Sequence, residues 1–151
     1  MKLFLNQIKM DNLNDIYTDV IMEHSTATYN KHKLECATNS EHGHNPSCGD
    51  DITIEIKMNG EVIEDVAFTG HGCAISQAST SIMIDLLKGK TKEEAIELIN
   101  IFLKMMKREK VTEDELERIE EANALKNISN MPARIKCAEL AWYTMESLLK
   151  K

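Results

Sequence analysis

A chain of 151 residues with 42% hydrophobic content is the size of one packed domain. Its 18 basic and 25 acidic residues leave a formal charge of −7, the wrong sign for a nucleic-acid surface. No apolar run approaches the ~20 residues of a membrane span, and the stretch at Met1-Lys2-Leu3-Phe4-Leu5 is shorter than the ~7–15-residue core of a secretory signal. The expectation is one cytoplasmic domain over 1–151, with no nucleic-acid or membrane partner and with its thiols reduced.

Residues 1–10 read as a mobile amino-terminal extension. From Asp11 to about Ala27, Leu13, Ile16, Tyr17, Val20 and Ile21 form a helical stripe, which ends in the poor helix formers Ser25 to Asn30. Leu34 to Asn45 has room for one short strand followed by a polar loop holding His42 and His44. A hairpin follows. Ile52, Ile54, Ile56 and Met58 alternate with polar residues, Asn59-Gly60 supplies a two-residue turn, and Glu61 to Thr69 returns with Val62, Val66 and Phe68 on one parity. Glu64 breaks that alternation, which requires either a bulge or an exposed edge.

After Gly70-His71-Gly72 the period becomes helical, through Ala74, Ala78, Ser81, Ile82 and Leu86 to a stop at Gly89. The small residues of its first half predict close approach to neighbours. Thr91-Lys92-Glu93-Glu94 is a capping box opening a helix with Ile96, Ile99, Phe102, Leu103 and Met106 inward. Lys104, Lys107, Arg108 and Lys110 form the densest basic group, but acidic residues follow at once, so it reads as a solvated face. Thr112-Glu113-Asp114-Glu115 is a second capping box, opening an acidic helix with Leu116 and Ile119 as its apolar edge. Pro132 starts the last helix, whose core face is Ile135, Ala138, Ala141, Trp142, Met145 and Leu149. This order describes an α+β fold: a small three-stranded antiparallel sheet with helices packed on one side.

Three cysteines occupy telling neighbourhoods. Cys48 is followed by Gly49 and Asp50, so a bent chain can turn both the thiol and the carboxylate toward one ion. Cys73 sits where a Gly-rich loop becomes a helix, and Cys137 falls in the first turns of the last helix, beside Arg134 and Lys136. Helix starts favour thiolate over thiol. Three thiolates and a carboxylate satisfy a tetrahedral Zn2+ site, whereas the plain alternative for any one of these residues is a buried core cysteine.

The strings Asn45-Pro46-Ser47-Cys48-Gly49-Asp50, Gly70-His71-Gly72-Cys73-Ala74-Ile75-Ser76-Gln77-Ala78-Ser79 and Pro132-Ala133-Arg134-Ile135-Lys136-Cys137-Ala138-Glu139-Leu140-Ala141-Trp142 resemble the U-type iron–sulfur assembly family of IscU, SufU and the amino-terminal part of NifU. The resemblance covers nearly the whole chain from about Met10 and implies a SufE/NifU-like fold. The long interval between Cys73 and Cys137, with a helical insertion at about 108–128, resembles the SufU branch. So does Lys136, at a position where IscU-type scaffolds carry a histidine ligand. The resemblance implies Cys48, Asp50, Cys73 and Cys137 as zinc ligands and Cys48 as the acceptor of persulfide sulfur from a SufS-type cysteine desulfurase. Arg134 and Lys136 would give electrostatic support, and a SufBCD-type scaffold would lie downstream.

The alternatives are an iron–sulfur cluster scaffold holding iron or a transient cluster at the same residues, and a structural zinc domain that acts only by binding partners. The chain departs from the family at His24-Ser25-Thr26-Ala27-Thr28-Tyr29-Asn30, where relatives show His-x-x-x-Pro-Arg-Asn. Cys36 lies outside the motifs and reads as a plain thiol. His71, beside Cys73, has a role the sequence leaves open, support to the site or proton donation being the functional alternatives to a plain loop residue.

Overall fold

The computed structural model describes residues 18–151, so the expected extension over 1–10 and the start of the first helix lie outside the described residues. Helix α1 is seen over 18–26. It stops where its hydroxyl side chains turn back onto its own carbonyls: Ser25 Oγ donates to Met22 O at 2.8 Å and Thr26 Oγ1 to the same oxygen at 3.2 Å.

Strands β1 (Asn39–Asn45), β2 (Asp50–Asn59) and β3 (Val62–His71) form an antiparallel meander in the order β1-β2-β3. On β2, Ile52, Ile54 and Ile56 face inward, and the same parity turns Asp50 inward at the strand's first residue. β1 takes in both His42 and His44, which the sequence reading left in a loop. Its seven residues, Asn-Ser-Glu-His-Gly-His-Asn, have no aliphatic or aromatic side chain to announce a strand. Pairing with β2 and a covering helix make it one. At Gly43 a Cβ would collide with Thr144 Oγ1 of that helix.

The hairpin turn is Gly60-Glu61 rather than Asn59-Gly60, since Asn59 pairs with Val62. Gly60, with φ +62°, takes the first turn position, which a type II′ connection reserves for glycine. Of the two readings of Glu64, the bulge is correct. Lys57 pairs with Asp65 and Met58 with Ile63, leaving Glu64 as the extra residue. The bulge switches parity, so Ile63, Val66 and Phe68 are buried while Val62 is exposed.

Helices α2 (Ala74–Leu87), α3 (Lys92–Met106), α4 (Glu113–Arg118) and α5 (Pro132–Leu149) complete the fold, with a 3₁₀ helix over Glu120–Asn130 between the last two. Every residue of α2 from Ser76 to Ile84 is buried, as its small side chains predict for a helix enclosed by β3, α5 and the 3₁₀ segment. Both capping boxes are present, at Thr91/Glu94 and Thr112/Glu115. The sequence reading has most of this stretch only as part of a helical insertion at about 108–128, without its 3₁₀ character. Its signal is Ile119, Ala122, Leu125 and Ile128, all buried and spaced by three, which is the period of a helix with three residues per turn. Trp142 of α5 stacks on Phe102 of α3, with ring centroids 3.8 Å apart, at the centre of the core. No helix among the described residues is long and apolar enough to cross a membrane.

Candidate metal centre

One end of the sheet gathers the chemistry. The β1–β2 connection is tight: Cys48 N–H donates to Asn45 O at 3.2 Å and Gly49 N–H to Pro46 O at 3.4 Å. Asn45 Oδ1 also accepts from Ser47 N–H at 3.3 Å. Gly49, at φ +68°, lets the chain reverse between Cys48 and Asp50. Asp50 is fully buried and Cys137 is 1% exposed, while Cys48 is half-buried. The two sulfurs and an Asp50 oxygen all lie within 4.8 Å of one another.

That convergence carries Cys48 and Cys137 into contact, and the structure pairs them as a disulfide with Cα atoms 6.6 Å apart. Cys36 and Cys73 are free among the described residues. Two thiols aimed at one point from different elements are also each other's nearest partners. Coordination or nucleophilic attack by either requires the reduced pair.

Asp50 tests whether the group fits an ion. Its Oδ1 accepts from Cys73 N–H at 2.9 Å, but its Oδ2 is buried with no hydrogen-bond partner. A buried carboxylate oxygen left without a donor is costly, and a cation offsets that cost. Carboxylate with thiolates is a donor set that Zn2+ accepts. The residues fit.

Cys73 reaches the centre through its backbone. It is the N-cap of α2 (φ −71°, ψ 167°), and its sulfur accepts from Ser76 N–H at 3.4 Å. That sulfur is not among the close trio. Gly72 is obligatory here, because a Cβ on it would stand 2.5 Å from Asp50 Oδ1 and 3.0 Å from Ser76 Oγ. Cys137 is the sixth residue of α5, one turn past the free N–H groups, so the helix-start argument holds for Cys73 alone. Arg134 and Lys136 are exposed on α5, and among the described residues neither forms an ion pair. Ala133 O lies 4.0 Å from Cys48 Sγ, so this first turn of α5 borders the thiol. Lys136 also lines a cavity of about 290 Å³ with His44, Asn45, Glu139, Leu140 and Tyr143. Burial pushes the Glu139 carboxyl there above its usual range, against the pull of Lys107.

On the outer face of the sheet, His44 and His71 flank Asp51 across the strands, and His42 Nε2 lies 2.7 Å from Asp51 Oδ1. The His42 hydrogen bond holds the Asp51 carboxyl below the usual range, and the charges of His42, His44 and His71 act in the same direction. Sequence reasoning did not single out Asp51. Its place between His44 of β1 and His71 of β3 follows from the pairing of all three strands. Cys36 is exposed at the far end, away from the trio.

The family profile described as the NifU-like N terminal domain matches residues 16–146. The zinc-dependent sulfurtransferase SufU of Bacillus subtilis is 39% identical over 140 residues, covering 93% of both chains. The iron–sulfur cluster assembly scaffold protein IscU of Streptococcus pyogenes is 38% identical over 143 residues, covering 94% of this chain and 87% of that one. The crystal structure of a candidate iron–sulfur cluster assembly scaffold for the SUF system, from Fervidobacterium islandicum, superposes with a TM-score of 0.81. It is 42% identical and covers 90% of this chain and 98% of that one.

Proposed function

Because the chain belongs to the family of NifU-like N-terminal domains, we propose that it is a zinc-dependent sulfurtransferase of iron–sulfur cluster assembly. In this reading it takes persulfide sulfur on Cys48 from a SufS-type cysteine desulfurase and passes it to a SufBCD-type scaffold. The observation that carries the reading is the exposure gradient within the trio: Asp50 and Cys137 are buried, and Cys48 alone is open enough for a partner to reach.

Cys48, Asp50, Cys73 and Cys137 would hold the ion, Cys73 after its sulfur swings from Ser76 N–H toward the trio. Bound there, zinc would keep the thiols deprotonated near neutral pH. The Cys48 thiolate attacks the outer sulfur of the partner's persulfide. A new S–S bond forms on Cys48 as the partner's S–S bond breaks, and the partner's cysteine leaves as a thiolate, with no net oxidation. Arg134 and Lys136 lie on the α5 turns that border Cys48 and supply positive charge for the anionic sulfur or for an acidic partner surface. The helical interval of α4 and the 3₁₀ segment supports the SufU branch, as an insertion at about 108–128.

The second reading is a cluster scaffold, favoured by the name of the Streptococcus pyogenes relative. Lys136 weighs against it, because an ammonium has no lone pair to give a cluster. Protein purified without oxygen separates the two: a colourless sample with one zinc supports transfer, and a brown sample with cluster absorbance supports scaffolding. The deciding experiment incubates reduced protein with a cysteine desulfurase and cysteine and follows intact mass. The wild type should gain one sulfur atom and stimulate the desulfurase; Cys48→Ala should do neither, and undiminished stimulation by that variant overturns the proposal.

A further inference from the structure

A second group of ligand-type side chains lies near the opposite end of α2. Asp85 is twelve residues beyond Cys73, roughly 18 Å along the helix axis at about 1.5 Å per residue. His24 of α1, Asp85 of α2 and Glu121 of the 3₁₀ segment each point one ligand atom at the others, all within 4.8 Å. We propose that these three residues form a second, thiol-free site for a divalent first-row transition ion, clipping α1 and the 3₁₀ segment to α2.

The central observation is His24. It is 4% exposed, and its Nδ1 is held 2.9 Å from Ser81 Oγ. Among the described residues its Nε2 makes no hydrogen bond. It faces Glu121 Oε1 at 3.6 Å and Asp85 Oδ2 at 3.9 Å, both beyond hydrogen-bond length. Ligands about 2.0–2.2 Å from a tetrahedral ion stand roughly 3.3–3.6 Å from one another, so small side-chain shifts admit an ion. With Nε2 on a metal, the Nδ1 proton goes to Ser81, the outer contact that ligating histidines usually make.

Asp85 is equally constrained. Its Oδ1 accepts from the buried Asn30 Nδ2 at 2.9 Å and its Oδ2 from Tyr29 OH at 2.8 Å. Among the described residues, neither Asp85 nor Glu121 pairs with a lysine or arginine. A cavity of about 170 Å³, bounded by Ile82, Asp85, Leu86, Glu120 and Glu121, leaves room for waters to complete coordination. One imidazole and two carboxylates suit Zn2+, Fe2+ or Mn2+, in contrast to the sulfur-rich trio.

The test titrates the full chain, its thiol site loaded with zinc, with Mn2+ and follows the electron paramagnetic resonance of the free ion. One saturable site is expected. Glu121→Gln, an isosteric change at a side chain 57% exposed, should weaken binding by at least about tenfold. Glu120→Gln, on the same cavity, should leave it unchanged. Added Mn2+ should raise the melting temperature of the wild type and of Glu120→Gln but not of Glu121→Gln. Absence of saturable binding overturns the proposal. Equal weakening by both glutamate variants also overturns it, because the effect is then diffuse charge. Cys48→Ser should keep Mn2+ uptake; if it abolishes it, the ion sat at the thiol trio and this proposal fails while the sulfur-transfer reading is untouched.

Discussion

At the scale of single residues, the metal centre depends on one missing side chain. Gly72 passes so close to Asp50 that Oδ1 occupies the space where a Cβ would lie, and Cys73 N–H closes on the same oxygen. Asp50 is thereby held with one oxygen satisfied and the other buried without a donor. Gly72→Ala should force the carboxylate aside and destabilise the fold by about 1–3 kcal/mol, the usual penalty of overpacking. Urea unfolding measures that loss, and zinc content measured in parallel should fall, because Asp50 can no longer face Cys48 and Cys137. A variant of unchanged stability and full metal content would contradict this account of the site.

At the scale of elements, α4 shows how little a short helix has besides its cap. It has only six residues; Thr112 Oγ1 accepts from Glu115 N–H at 3.1 Å and Glu115 Oε1 from Thr112 N–H at 3.0 Å. Glu115 also reaches Lys104 of α3 at 3.0 Å. Thr112→Ala should cost about 1 kcal/mol, visible as a lower denaturation midpoint. The Thr112 backbone hydrogen bond, followed by Lys104, holds the Glu115 carboxyl below its usual range. A group depressed in the folded state stabilises above its unfolded range, and that contribution fades as pH falls through the lowered value. The difference between wild type and Glu115→Gln should therefore shrink in acid. Capping boxes, the β2 alternation and Pro132 were readable from sequence because each is a local rule satisfied by its own residues. β1 was readable only as a short strand within Leu34 to Asn45, not in its extent through His42 and His44, since its inward positions Glu41, Gly43 and Asn45 take their place from β2 and α5 rather than from any propensity of their own. The 3₁₀ segment was legible in principle, through its spacing of three, but a search for periods of two and 3.6 passes over it.

At the scale of the whole molecule, Trp142 joins three helices. Its ring stacks on Phe102 of α3, and its Nε1–H donates to Ser79 Oγ of α2 at 2.8 Å. Ser79 Oγ in turn donates to Ala138 O of α5 at 2.6 Å. Trp142→Ala should cost about 3–5 kcal/mol by removing a fully buried ring, and calorimetry or denaturant unfolding would check it. The motif cysteines and Asp50 were legible as a set, but the direct pairing of Cys48 with Cys137 and the offset of the Cys73 sulfur depend on how α5 and α2 dock, which no local pattern encodes. Cys48 and Cys137 are 89 residues apart, and the second of them sits on the final helix of the fold. During translation, a nascent chain that has emerged only as far as the 3₁₀ segment has its sheet residues made and no pocket to close. The ribosome must deliver α5 before Cys48, Asp50 and Cys137 can meet, so this end of the sheet closes only after every strand and the 3₁₀ segment have been made.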